Sequence, residues 1–206
     1  MAGRVASRDA GTAVRILDVA EQLVQVRGFN GFSYADIAAE LGITKAALHY
    51  HFAGKADLGE ALIARYASRF AEALAAIDAA ADGSAGAARA RLAAFADLYT
   101  EVLRNRRMCL CGMLAAEYPT LPVPMQDAVL RFFDDSEAWL DSVLESGRAD
   151  GSLSFAGPAP EAARMIIGSL EGAMLVARPY GDVSRFQAAA ANLLAGLTRP
   201  AESTAV

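Results

Sequence analysis

The sequence predicts an all-α protein on three observations. Alanine is abundant, β-branched residues are sparse and the prolines gather in a few short stretches, a composition that favours helix almost throughout. Apolar residues recur at three- and four-residue spacing along most of the chain. Gly, Ser and Thr stand where those runs start and stop, as helix caps do. The 206 residues are 54% apolar and 21% charged, too apolar for a disordered chain, and the formal net charge is -5.

Residues 1–11 are polar, contain Arg4, Arg8 and Asp9, and read as a loose arm with no signal-peptide core. The spacing then predicts a helix over Ala13–Arg27, stopped by Gly28 as a left-handed C-terminal residue. Phe29 and Phe32 bracket a turn on Asn30-Gly31. In "SYADIAAELGIT", Ser33 is placed to cap a helix, with Asp36 at capping-box spacing and Ile37, Ala38 and Leu41 as its inner stripe. Gly42 ends that helix and Thr44 is placed to cap the next, Lys45–Tyr50. Two short helices joined through a glycine turn of about three residues form a helix-turn-helix.

Longer helices follow. Ala56–Ala81 is the first, interrupted at Asp82-Gly83-Ser84, and Ala87–Leu103 and Arg106–Tyr118 come next. After the "PTLPVP" loop, Met125–Ala149 is long and amphipathic. After the "DGSLSFAGPAP" loop come Glu161–Arg178 and Ser184–Leu197, parted by Pro179-Tyr180-Gly181. At most a residue or two of strand is expected near Leu153–Phe155. No apolar run approaches the roughly 20 residues of a membrane span, and a cytoplasmic protein is expected.

The stretch "ITKAALHYHF" holds both histidines. His49 and His51 lie two residues apart, about 200° around a helix, so they do not share a face and no metal site is expected. No nucleophile elbow, phosphate loop or dinucleotide fingerprint is present, so neither catalytic residues nor a cofactor are expected. A reading surface fits better: Thr44, Lys45, His49 and Tyr50 can point outward with groups that reach phosphates or base edges, while Phe52 folds back as a core anchor. His51 either packs at the helix corner or meets a phosphate. The acidic balance argues mildly against nucleic acid, so any DNA binding must come from a local surface.

Residues from about 13 to 58, through "AEQLVQVRGFNGFSYADIAAELGITKAALHYHFAGKADL", resemble the DNA-binding domain of the tetracycline-repressor (TetR) family of bacterial transcription regulators. The resemblance implies an N-terminal three-helix helix-turn-helix domain over 1–54 with a flexible arm, a helical effector-binding and dimerisation domain over 55–200, and a disordered tail over 201–206. It implies that Ser33, Tyr34, Thr44, Lys45, Ala46, His49, Tyr50, His51 and Lys55 face a double-stranded DNA operator. His49 stands where the family usually has tyrosine, and Gly54 where it more often has serine. Arg4 and Arg8 either reach DNA or lie in a solvated tail.

The same resemblance implies a homodimer that takes up a small-molecule effector. Ile167, Leu170, Phe186, Ala190, Leu193 and Leu197 are expected at the dimer interface, with Gly168 and Gly172 allowing close helix approach; ordinary packing within the chain is the alternative. Phe95, Tyr99, Met108, Met113, Phe132, Phe133, Trp139, Glu171 and Met174 are the pocket candidates, equally suited to a plain core. Glu117 and Tyr118 are further polar groups for that pocket, and the effector is expected to be hydrophobic or aromatic. Cys109 and Cys111 follow the basic run Arg104-Asn105-Arg106-Arg107 and read either as small core residues or as a thiol sensor. A helical ligand-binding dimer that reads no DNA, and an enzyme built into the helical cavity, are the rival classes.

Overall fold

A computed structural model describes residues 2–81 and 86–198, with the side chains of α1 from Gly11 onward. Among the described residues the chain is helical, with no strand, including at Leu153–Phe155. The helices are α1 (Ala2–Arg27), α2 (Tyr34–Leu41), α3 (Lys45–His51), α4 (Lys55–Ala80), α5 (Ala87–Arg104), α6 (Leu110–Ala116), α7 (Val123–Ala149), α8 (Ala159–Ala177) and α9 (Val183–Ala195). The expected loose arm is corrected: α1 begins at Ala2, because alanine and arginine favour helix even without an apolar stripe. The side chains of Arg4 and Arg8, the break at Asp82-Gly83-Ser84 and the tail over 201–206 lie outside the described residues.

The chain forms two compact units that do not follow a cut at residue 54. The first comprises the residues up to Arg69 together with Cys109–Phe132; the second comprises Phe70–Met108 and the residues from Phe133 on. Helices α4 and α7 each begin in the first unit and end in the second.

In the first unit, α1 buries Ile16, Ala20 and Val24, four residues apart, while Val14 and Val26 stay exposed. Arg65 of α4 reaches Asp18 at 2.8 Å and the buried Glu21 at 2.9 Å, and Arg69 also pairs with Glu21. Leu48, Leu58, Leu62 and Ile63 complete this core.

In the second unit, Phe95 stacks on Trp139 at 5.5 Å, Tyr99 stacks on Phe186 at 6.4 Å, and Phe70 meets Phe95 edge-on at 6.0 Å. Trp139 donates its indole N–H to Asp78 at 3.0 Å, and Arg91 pairs with the same carboxylate. Helix α5 ends in a Schellman motif: the Arg107 N–H donates to Val102 O and the Arg106 N–H to Leu103 O. Arg106 holds the left-handed position there, φ 56, the one described non-glycine residue with positive φ. That conformation costs an L-residue about 1–2 kcal/mol.

Candidate nucleic-acid interface

The reading surface is built by three local caps. The Ser33 hydroxyl accepts from the Ala35 N–H at 3.2 Å, and the Asp36 carboxylate accepts from the Ser33 N–H at 2.7 Å. The Ser33 hydroxyl also donates to the Asp36 carboxylate at 2.7 Å, and this bond, then the one from the Ser33 N–H, holds the Asp36 carboxyl below the usual range. Gly42, φ 64, closes α2 in the left-handed conformation with its N–H on Ala38 and Ala39 carbonyls. Two residues further on, the Thr44 hydroxyl accepts from the Ala47 N–H at 3.2 Å and starts α3. Ile37 and Leu48 are wholly buried and set α3 against α2.

This leaves one face of α3 in solvent. Thr44, Lys45, Ala46, His49 and Tyr50 are exposed, Tyr50 at 75%, and Ser33 is exposed beside them. His51 is half-buried with its ring 5.2 Å from that of Tyr50. His49 Nδ1 lies 2.9 Å from Ala53 O, a contact that suits an Nδ1–H donor and directs Nε2 outward. Phe52 is only half-buried; the core anchor of α3 is Leu48.

Two expected phosphate contacts are corrected. Tyr34 is buried, and its hydroxyl donates to the Gly54 and Phe52 carbonyls, 2.7 and 3.0 Å away. Burial, with the nearby Asp57 carboxylate, pushes its phenol up to about 12. Lys55 is half-buried, donates to the Phe29 and Phe32 carbonyls, and lies 4.6 and 4.1 Å from the centres of their rings. Burial holds its ammonium below the ordinary lysine value, against the raising influence of Glu117 and Asp36.

The expected place of Glu117 in an effector pocket is also corrected. Its carboxylate accepts from the Phe29 N–H at 2.5 Å and the Asn30 N–H at 3.2 Å, 87 or more residues away in sequence. Asn30 Nδ2 donates to Thr120 at 2.8 Å. Glu117 and Lys55 therefore hold the α1–α2 loop from both sides, one on its N–H groups and one on its carbonyls. Neither role has a signal in the sequence, because each depends on which distant segment the side chain meets.

Tyr34→Phe is expected to cost about 1 kcal/mol at neutral pH by removing the one O–H that the Phe52 and Gly54 carbonyls share, Gly54 keeping the Leu58 N–H. It also changes the alkaline limb. The wild-type phenol titrates above its unfolded value of 10.0, so folding stability falls as pH rises from 10 to about 12. Urea titrations across that range should show this component lost in the variant; an unchanged slope with pH would place the hydroxyl in water.

The profile "Bacterial regulatory proteins, tetR family" matches residues 16–62, which cover this site, and "Tetracyclin repressor-like, C-terminal domain" matches 88–193. The crystal structure of a transcriptional regulator of the TetR family from Agrobacterium tumefaciens is 32% identical, covers 93% of this chain and 100% of its own, and superposes with a TM-score of 0.87. The chain belongs to the TetR family.

Two further structures agree. A TetR transcriptional regulator from Legionella pneumophila is 33% identical over 89% of this chain and 96% of its own, TM-score 0.78. The reduced form of Escherichia coli NemR is 25% identical over 92% of this chain and 99% of its own, TM-score 0.76. No curated protein sequence matches the chain. As a TetR-family member it is a ligand-responsive, DNA-binding transcriptional regulator, and the family's members are regulators, not enzymes.

The second unit divides the other expectations. Phe95, Tyr99 and Trp139 join Phe70 and Phe186 in one aromatic cluster, and Met108 and Met174 are buried. Phe133 and Glu171 are half-buried in that unit. Phe132 and Met113 belong to the first unit, where Phe132 lies against Tyr66 at 5.6 Å. Five of the expected dimer residues are corrected: Ile167, Leu170, Phe186, Ala190 and Leu197 are already buried within the single chain; Leu193 is half-buried. The outward face of α8 instead carries Met165, Leu175 and Val176, 48%, 59% and 64% exposed. Cys109 and Cys111 are buried thiols, and Cys109 Sγ caps α6 by accepting from the Gly112 N–H at 3.4 Å. Among the described residues there is no group of three or more possible metal ligands and no helix long and apolar enough to cross a membrane.

Proposed function

We propose that this regulator is a cytoplasmic homodimeric repressor that binds a palindromic operator through α3 and leaves it when a small hydrophobic or aromatic effector is bound. The carrying observation is the solvent face of α3: an ammonium, an imidazole, a phenol and a hydroxyl on a short helix whose other side is fixed by Leu48. Thr44, Lys45, Ala46, His49 and Tyr50 are the direct readers in this proposal, with Ser33 and His51 at the margin. One short helix reads too few base pairs alone, so two copies are needed. The exposed Met165, Leu175 and Val176 face of α8 suits a second copy, because a Cβ at Gly168 or Gly172 would meet nothing within 4 Å. The aromatic cluster around Phe95, Tyr99 and Trp139, with Met174, is the proposed effector region. Buried thiols argue against oxidation of Cys109 and Cys111 as the trigger.

The test is fluorescence anisotropy on DNA from upstream of the protein's own gene, over a salt series, with wild type, Lys45→Ala and Tyr50→Ala. A phosphate contact by Lys45 should lower the steepness of the salt dependence by about one unit per head, while Tyr50→Ala should weaken binding at all salt concentrations. Binding equal to that of random DNA, confirmed by a selection from random sequence, would remove the DNA reading.

A further inference from the structure

The basic run Arg104-Asn105-Arg106-Arg107 plays no part in DNA reading in this account, and the structure places it against a cleft. Arg106 and Arg107, at the end of α5, line a cavity of about 480 Å³ with Arg178 and Tyr180 from the α8–α9 connection. Leu103 and Pro179 supply apolar wall. Asp182 is the one lining carboxylate, and it is already engaged by the Ser184 N–H at 2.9 Å, the Ser184 hydroxyl at 2.6 Å and Arg185 at 3.8 Å. Among the described residues neither Arg106 nor Arg107 forms an ion pair. Arg104 turns away to Glu101, and Arg185 lies over the Tyr180 ring at 3.7 Å.

Cations near helix C-termini have an ordinary explanation in the helix dipole, and Arg104 and Arg178 satisfy it for α5 and α8. Arg106 does not fit that explanation. It occupies the left-handed position of a Schellman motif, where glycine carries no steric cost. A strained non-glycine residue is a pointer to a side-chain role. Here that side chain lines a cleft with two more guanidinium groups, whose planar donors match carboxylate and phosphate oxygens.

We propose that this cleft binds a small organic oxyanion, a carboxylate or phosphate held by Arg106, Arg107 and Arg178, with its apolar body against Tyr180 and Pro179. No residue lining the cleft belongs to the aromatic cluster of the effector region or to α3, so the proposal stands independently of the DNA reading.

Isothermal titration calorimetry tests it on the full chain without DNA. The probes are phenyl phosphate, benzoate and the neutral benzamide, with wild type, Arg107→Gln and Arg106→Gly. Saturable binding of at least one anion, absent for benzamide, is expected; the tighter of phenyl phosphate and benzoate identifies the oxyanion. Each variant should lose about tenfold or more, as for a charge-assisted hydrogen bond. Arg106→Gly should do so with its melting temperature unchanged or raised, since glycine relieves the left-handed residue. No saturable binding of either anion at millimolar concentration, equal binding of benzamide, or affinities untouched by Arg107→Gln would each overturn the proposal.

Discussion

Glu117→Ala is expected to destabilise the protein by about 3 kcal/mol, although it removes one side chain far in sequence from the reading helix. A hydrogen bond to a charged group contributes about 1.5–3 kcal/mol net, and leaving a buried donor unpaired adds to the loss. Glu117 accepts from two backbone N–H groups, of which that of Phe29 is part-buried. For a chain of this size the melting temperature should fall by about 6–12 °C. The deficit should also depend on pH. Lys55 is held below its ordinary value of 10.5 by burial, and Glu117 works against that depression. Without Glu117 its pKa falls further, so the unfolded chain binds more protons than the folded one over a wider range below 10.5. Stability of the variant therefore rises with pH through that range, and its deficit narrows as 10.5 is approached. In a Lys55→Met background this narrowing should vanish. A melting temperature within about 2 °C of wild type would show that solvent replaces the carboxylate at no cost.

Leu175→Glu with Val176→Glu should give a monomer and lower operator affinity by about 10²–10⁴, the advantage that two linked reading heads hold over one. Both residues are exposed in the single chain, so the fold itself should change by no more than about 0.5 kcal/mol. Light scattering reads the mass and anisotropy reads the affinity. Dimers that bind DNA as wild type does would move the interface to another face. Met174→Glu is the contrast: its side chain is wholly buried, so the same charge one residue earlier should unfold the second unit.

The helix-turn-helix was legible because its instructions are local. Ser33, Asp36, Gly42 and Thr44 bond within four or five residues of themselves, and the structure places each cap where the spacing predicts it. The outward residues of α3 were legible from their polar groups, although the helix is anchored by Leu48 and not by Phe52. Tyr34 and Lys55 were misread because facing DNA or facing the loop is decided by carbonyls 18 to 26 residues away. Helix α8 was misread for a different reason. It is apolar on more than one side, with Ile166, Ile167 and Leu170 inward and Met165, Leu175 and Val176 outward, and periodicity alone does not say which stripe is the core. The pairing of Glu117 with Phe29 and Asn30 has no local counterpart at all.

The composition of the first unit bears on how such regulators can be recombined. Its α1–α2 loop is fastened by Glu117 and Thr120, residues that the chain supplies only after leaving that unit through α4 and α5 and returning. A single crossover near residue 54 or 69 would graft the reading helices onto a foreign effector half and leave their fastening behind. A chimera meant to keep operator specificity needs three crossovers, after Arg69, Met108 and Phe132, so that Cys109–Phe132 travels with the head. The same bookkeeping applies to inheritance: exchange of one contiguous N-terminal piece between relatives carries the letters that read DNA without the clasp that holds them in place.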